Sequence, residues 1–279
     1  MTKSEESKLK TKTKEILKRR ILRNNAIGGY ISLTVGPPGC GKTSHLLYEA
    51  QLFMDTYPNE IVFFRDSTMS AAQFNRIGKN YKVFVEEGCK IRFRDLQHGG
   101  SINIPYQSFS CLDELISQDT GKGLVKKQFL NVVFFKDDYR WIDLLCHLRN
   151  TIGWQSVFVD EIEDIIPLNP SKREGENKNT RNEKNIQFSN ESKQIRKGLV
   201  NMCCNTQAED EIDWRFKRKL NFTVYLRGAR VSRKSRIYQA WVDKLEIGKC
   251  IIDYEYRMYG KSNFRSYPPK NPIFEVIID

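Results

Sequence analysis

The chain has 279 residues, 39% of them hydrophobic and 29% charged, with a formal net charge of +12. That length supports one large α/β domain or two small ones around a substantial core, and the positive excess points to polyanionic partners: nucleic acid, nucleotides or anionic lipid. No apolar run approaches the ~18 residues of a membrane span, and the N-terminus MTKSEESKLKTKTKEILKRR lacks the apolar stretch of a signal peptide, so a cytoplasmic chain is expected.

Residues 1–27 read as a basic N-terminal arm. Ile16, Leu17, Ile21 and Leu22 fall there at helical spacing, and a solvated tail and a nucleic-acid-contacting arm both fit. The apolar run 30–35 predicts a strand that feeds the stretch GPPGCGKTSH. A helix follows from Lys42 to about Tyr57, with Leu46, Leu47, Ala50 and Phe53 as its apolar stripe and Pro58 ending it. Strands are predicted at 61–64, 82–85 and 90–93, then an irregular insertion over 94–122. A buried-type strand at 131–135, a helix over 138–150 and a strand at 155–160 come next. Residues 169–193 are almost free of large apolar side chains and read as a mobile loop. Ile195, Leu199 and Met202 predict a helix over 191–204, and further strands are expected at 220–226 and 250–256. Strands alternating with helices imply βαβ units and a mainly parallel sheet.

Seven cysteines (40, 89, 111, 146, 203, 204 and 250) contain no CxxC pair, and His45, His98 and His147 have no zinc-type spacing. Buried free thiols in a reducing compartment are the expectation.

Gly36-Pro37-Pro38-Gly39-Cys40-Gly41-Lys42-Thr43 fits G-x-x-x-x-G-K-[ST], the P-loop, and Ser44 extends the same turn into the helix. Glycines let the backbone wrap a phosphate closely, and the helix that starts there adds its positive end. Lys42 is suited to the β and γ phosphates of ATP, and the Thr43 hydroxyl to Mg²⁺. The apolar strand Ser156-Val157-Phe158-Val159 ends in Asp160-Glu161. Asp160 is the expected metal-side carboxylate, and Glu161 is suited to polarise an attacking water as general base. That second acid favours hydrolysis over phosphoryl transfer to an acceptor. Glu163 and Asp164 read as an acid-rich helix start.

The order of these parts resembles the HerA/FtsK superfamily of P-loop ATPases, ring motors that pump DNA in viral packaging and conjugation. The likeness covers roughly residues 28–256, and its only specific motifs, the loop at 36–43 and the acid-ended strand at 156–161, are shared by many other ATPases, AAA-type proteins included. It implies an α/β P-loop NTPase fold, a mainly parallel sheet flanked by helices, with 257–279 as a small C-terminal β extension. It also implies ATP and Mg²⁺ as ligands, DNA as partner, a homo-oligomeric ring and the host cytoplasm for a viral protein. Members follow the acid pair with a strand ending in a polar sensor, usually Gln. Here the strand taken for it, 220–226, runs into Arg227-Gly228-Ala229-Arg230. Arg227 and Arg230 are therefore candidate phosphate-sensing arginines, in cis or reaching a neighbour's nucleotide, with Arg196 a weaker third.

Residues 214–236 are dense in Lys and Arg and contain no acid, which suits sequence-independent phosphate binding. Residues 254–267 interleave aromatic with basic residues, and fit either a stacking platform for single strands or a β-hairpin with an aromatic core face. The rival functions are a P-loop ATPase acting on protein in virion assembly or secretion, of the zonula-occludens-toxin type, and a nucleotide-gated binding module.

Overall fold

The computed structural model describes residues 28–66, 68–72, 80–95, 99–117, 123–151, 153–168, 178–195, 197–254, 258–264 and 274–278. The predicted arm at 1–27, Arg196 and the first part of the predicted loop, 169–177, lie outside them.

In chain order the strands are β1 (Ile31–Val35), β2 (Ile61–Arg65), β3 (Tyr81–Glu86), β4 (Ile91–Asp95), β5 (Ser101–Ile102), β6 (Gln107–Phe109), β7 (Leu130–Phe134), β8 (Gln155–Val159), β9 (Val200–Thr206), β10 (Phe222–Tyr225), β11 (Lys249–Tyr254), β12 (Met258–Asn263) and β13 (Phe274–Ile278). The helices are α1 (Lys42–Thr56), α2 (Leu112–Leu115), α3 (Arg140–Arg149), α4 (Lys178–Ile195), α5 (Trp214–Lys217) and α6 (Gln239–Asp243).

Ten strands form one sheet in the order β12-β11-β10-β1-β9-β8-β2-β7-β3-β6. Every pairing from β10 to β6 is parallel, and β11 and β12 add an antiparallel hairpin at one edge. The mainly parallel α/β sheet flanked by helices, with extra antiparallel strands near the C-terminus, is thus as expected. A second sheet, β13-β4-β5, folds the C-terminal strand back onto the insertion after β3.

The central strands are buried along their whole length, which is why they read as continuous apolar runs rather than alternating ones. Their side chains feed two cores. One face packs Leu33, Val157, Val159 and Met202 with Trp141, Leu145 and Leu148 of α3. The other packs Phe64, Val132, Phe158 and Cys203 with Leu46, Leu47, Ala50 and Phe53 of α1.

Two expectations are corrected. The helix expected over 191–204 is instead the end of α4 and the strand β9, which lies between β1 and β8. Its alternation sends Met202 and Cys204 to one core and Cys203 to the other, and this burial on both faces holds it as a strand. The segment expected as loop over 169–193 is helical from Lys178 onward. Its buried positions 185, 188, 189 and 192 have helical spacing, but only Phe188 is apolar; Asn185 donates to the Pro167 carbonyl at 2.9 Å and Ser192 to that of Phe188 at 2.7 Å. Phe188 meets Phe216 at 5.5 Å between ring centroids.

The seven cysteines are free; Cys40, Cys203, Cys204 and Cys250 are buried, and Cys111 is exposed. No helix among the described residues is long and apolar enough to cross a membrane.

Candidate active site

The register of the parallel strands brings several chain segments to one edge of the sheet. Val35 pairs with Thr206 and with Tyr225, Cys204 with Val159, and Val159 with Arg65. β9 and β10 therefore end level with the strand that enters the glycine loop, and β8 and β2 end two residues short of it, in register with Leu33.

The loop leaves β1 at Gly36, whose N–H donates to the Thr206 carbonyl at 3.3 Å. A side chain at Gly36 would meet the Cys40 sulfur and the Leu226 Cβ, so the loop closes only around a glycine. Gly41 starts α1 with φ 96°, in the left-handed region that favours glycine. Lys42 lies across the ring of the loop, its Nζ donating to the Pro37 carbonyl at 3.3 Å. Cys40 packs beneath, and burial pushes its thiol up against the opposing pull of Lys42. His45, in the first turn of α1, lies 3.1 Å from the Thr34 hydroxyl and meets the ring of Phe264 edge-on at 5.0 Å. Phe264, just past β12, thus buttresses the start of α1. Of the aromatic and basic tail read in the sequence, the described residues 254 and 258–264 belong to the antiparallel pair β11–β12 and the residue after it, and Tyr254 and Phe264 pack inward.

Thr43, the second residue of α1, donates its hydroxyl to both carboxylate oxygens of Asp160, at 3.1 and 3.2 Å. Asp160 is 2% exposed. Burial raises its pKa to about 7, and the charges of Asp66 and Glu161 add to the effect, while hydrogen bonds from Asn205 and Thr43 oppose it. Thr43 and Asp160 offer hard oxygen ligands, and Mg²⁺ is commonly held by one or two carboxylates plus substrate phosphates. Among the described residues no group of three or more His, Cys, Asp or Glu is placed to hold a metal ion. A cation at Thr43 and Asp160 would also compensate a buried acid that its surroundings hold partly protonated.

Glu161 has φ 54° and ψ 65°. A non-glycine residue in this left-handed region costs about 1–3 kcal/mol and persists only where its surroundings over-determine it. Asn205 supplies part of that constraint: its Oδ1 accepts from the Glu161 N–H at 2.7 Å, and its Nδ2 donates to Asp160 Oδ1. It is the penultimate residue of β9, the strand between the loop strand and the Asp160 strand. A polar residue at this point was expected from the family resemblance, but on β10. The signal in the sequence was the pair Asn205-Thr206 directly after Met202-Cys203-Cys204.

No family model matches the chain, and no curated protein matches it. Solved structures do overlay. The genome packaging NTPase B204 from Sulfolobus turreted icosahedral virus 2, in complex with sulfate, superposes with a TM-score of 0.53 at 11% identity, over 87% of this chain and 98% of that one. The complex of B204 with ATP-gammaS gives 0.50 at 13% identity, over 88% and 100%. The fold is that of a P-loop NTPase. The likeness is one of architecture, and at that level it agrees with the resemblance to the HerA/FtsK superfamily.

On this P-loop NTPase fold the two candidate arginines sit on the other flank of β1 from Asp160. Arg227 and Arg230 are exposed and follow β10. The turn between them abuts the loop: a Cβ at Gly228 would lie 3.2 Å from the Pro37 ring. Arg230 also lines an open cleft of ≈ 710 Å³ between the segment after β9 and the segment after β10. Lys217, Arg218, Arg233 and Lys234 line it as well, against the acids Glu209 and Asp210. Trp214 is 49% exposed in its wall, with the Arg218 guanidinium 4.6 Å from the centre of its ring.

Proposed function

We propose that the chain is a Mg²⁺-dependent ATPase whose turnover moves nucleic acid, acting as a ring of identical subunits. The observation that carries hydrolysis is the contact of Thr43 with Asp160, with Glu161 next in sequence. It gathers a phosphate-cradling loop, a metal-binding oxygen pair and a second carboxylate at one sheet edge. In this reading residues 36–44 bind the triphosphate, and Lys42 neutralises the β and γ phosphates. Bound Mg²⁺, held by Thr43 and Asp160, supplies charge neutralisation on the phosphate oxygens. Glu161 accepts the proton of the attacking water. Asn205 holds the backbone of Glu161 and one oxygen of Asp160. Arg227 and Arg230 are the candidate cations for the γ-phosphate, in cis or across a subunit boundary.

The cleft supports the nucleic-acid part. Its excess of cations suits a phosphate backbone, and the exposed Trp214 offers a stacking face. Because the cleft is built from the segments that follow β9 and β10, a polyanion bound there would bear on both strand ends that flank the P-loop strand.

The test is the steady-state ATPase rate with and without single-stranded and duplex DNA at two salt concentrations, with Lys42→Ala as control. Stimulation that fades with salt and is absent in the variant is expected. Hydrolysis indifferent to both forms of DNA would refute the nucleic-acid part and turn attention to a protein substrate.

A further inference from the structure

Arg65 ends β2, one strand beyond the Asp160 strand, and its side chain crosses over the end of β8. Its Nη1 donates to the Asp160 carbonyl at 2.5 Å and lies 3.5 Å from the Glu161 carbonyl. The other edge of the guanidinium is clamped by acids from two different segments. Nε and Nη2 donate to Asp138 Oδ1 at 3.1 and 2.9 Å, and Nη2 donates to Asp164 Oδ2 at 3.0 Å. Arg65 is buried, whereas the two acids are about one-third exposed. Asp138 lies just before α3, and Asp164 ends the short 3-10 turn Ile162–Asp164 that follows Glu161.

The three groups that define the backbone of Glu161 are thus held from outside the strand. Its N–H is taken by Asn205 and the carbonyl before it by Arg65, while its own carbonyl accepts from the Asp164 N–H at 3.1 Å with Arg65 Nη1 3.5 Å away. Left alone, a glutamate leaves the left-handed region for an extended or helical conformation, which redirects its Cβ. A planar fork that fills two carboxylates and two carbonyls at once is a task for arginine; the single ammonium of lysine does not span it.

We propose that Arg65 is a positioning residue for hydrolysis: through Asp138 and Asp164 it fixes the left-handed turn at Glu161, and so sets where that carboxylate stands. This rests on the hydrolytic reading given above, and it adds a residue that meets Asp160 at its backbone carbonyl rather than at its carboxylate.

The experiment measures kcat and KM for ATP, together with the Kd of a fluorescent ATP analogue, for wild type, Arg65→Lys and Asp164→Asn. Arg65→Lys is expected to lower kcat by about 10–100-fold, the usual cost of removing a partner that orients a reacting group. The KM and the analogue's Kd stay within about twofold, because the P-loop is not touched. Asp164→Asn, which leaves Arg65 and Asp138 in place, lowers kcat several-fold in the same pattern, and it carries the test if Arg65→Lys fails to fold. In a Glu161→Gln background Arg65→Lys changes the residual rate less than twofold, since the residue through which it acts is gone. An unchanged kcat in both variants, or an equal loss with and without Glu161, would overturn the proposal. A wild type that binds the analogue but does not turn over ATP refutes the hydrolytic reading itself, and is recognised before any variant is compared.

Discussion

The hydroxyl of Thr43 and the carboxylate of Asp160 meet at 3.1 and 3.2 Å although 117 positions separate them in the chain. The contact joins the start of α1 to the end of β8. Replacing Thr43 by Val keeps the shape and removes the oxygen. A lost hydrogen bond or ligand contact to a charged group is worth about 1.5–3 kcal/mol, or about 10–100-fold. The Mg²⁺ concentration that gives half-maximal ATPase rate should rise by that factor, as read from Mg²⁺ titrations at saturating ATP.

The raised pKa of Asp160 gives a pH prediction whose sign follows from proton counting. The unfolded acid titrates near 3.8 and the folded one near 7. Between these values the folded state holds a proton that the unfolded state has released, so stability falls as pH rises through that window. Burial moves Asp66 and Glu163 in the same direction. Thermal melts of nucleotide-free protein should therefore show a lower Tm at pH 7.5 than at pH 5.5. Asp160→Asn, which has no proton to lose, should flatten the profile.

Asn205 ties both acids to β9. In Asn205→Ala the Glu161 N–H loses the Asn205 acceptor and the buried Oδ1 of Asp160 keeps only the Thr43 hydroxyl of its two donors, at a cost of about 1–3 kcal/mol in stability. The catalytic effect is expected to be larger: kcat lower by about 10–100-fold with nucleotide affinity little changed. Parallel measurement of Tm, Kd and kcat separates the two.

Phe264 is buried against His45 and the first turn of α1. Phe264→Ala should destabilise the fold by about 3–5 kcal/mol, as for other buried aromatic truncations. Because the hairpin supports the helix that starts in the P-loop, ATP affinity should fall with it. Urea unfolding and nucleotide titration check the pair of effects.

In the cleft, Lys217→Ala or Arg233→Ala should each reduce the log–log salt slope of single-strand binding by about 0.7. Trp214→Ala should weaken binding at all salt concentrations by about 1–3 kcal/mol without altering that slope. Fluorescence titrations with an oligo-dT at several ionic strengths distinguish the two behaviours.

How much of this was legible in the sequence depended on how local each feature is. The P-loop and the strand ending in Asp160 were readable because each is one short segment whose residue types are dictated by its own geometry. The β11–β12 hairpin was one of two open readings. By contrast, α4 hides its buried face behind Asn185, Ser189 and Ser192, which carry no hydrophobic period. In β9, Asn201 and Asn205 look exposed in sequence but are buried, because Glu60 just before β2, Ser156 in β8 and Asp160 just after β8 satisfy them. The chance spacing of Ile195, Leu199 and Met202 then imitated a helix. Reading that strand as a helix left β10 as the place where the polar strand end implied by the resemblance was sought. Arg65 gave no signal, since its partners lie 73 to 99 positions away.

The most direct test of the hydrolytic site is a single-turnover measurement of γ-phosphate release by wild type and Glu161→Gln at equal nucleotide occupancy. The account predicts that the variant binds ATP and Mg²⁺ as tightly as wild type while releasing phosphate at least about 100-fold more slowly, in the range of a lost general base. Equal release rates would contradict it, and would leave the P-loop binding a nucleotide that Glu161 does not help to cleave.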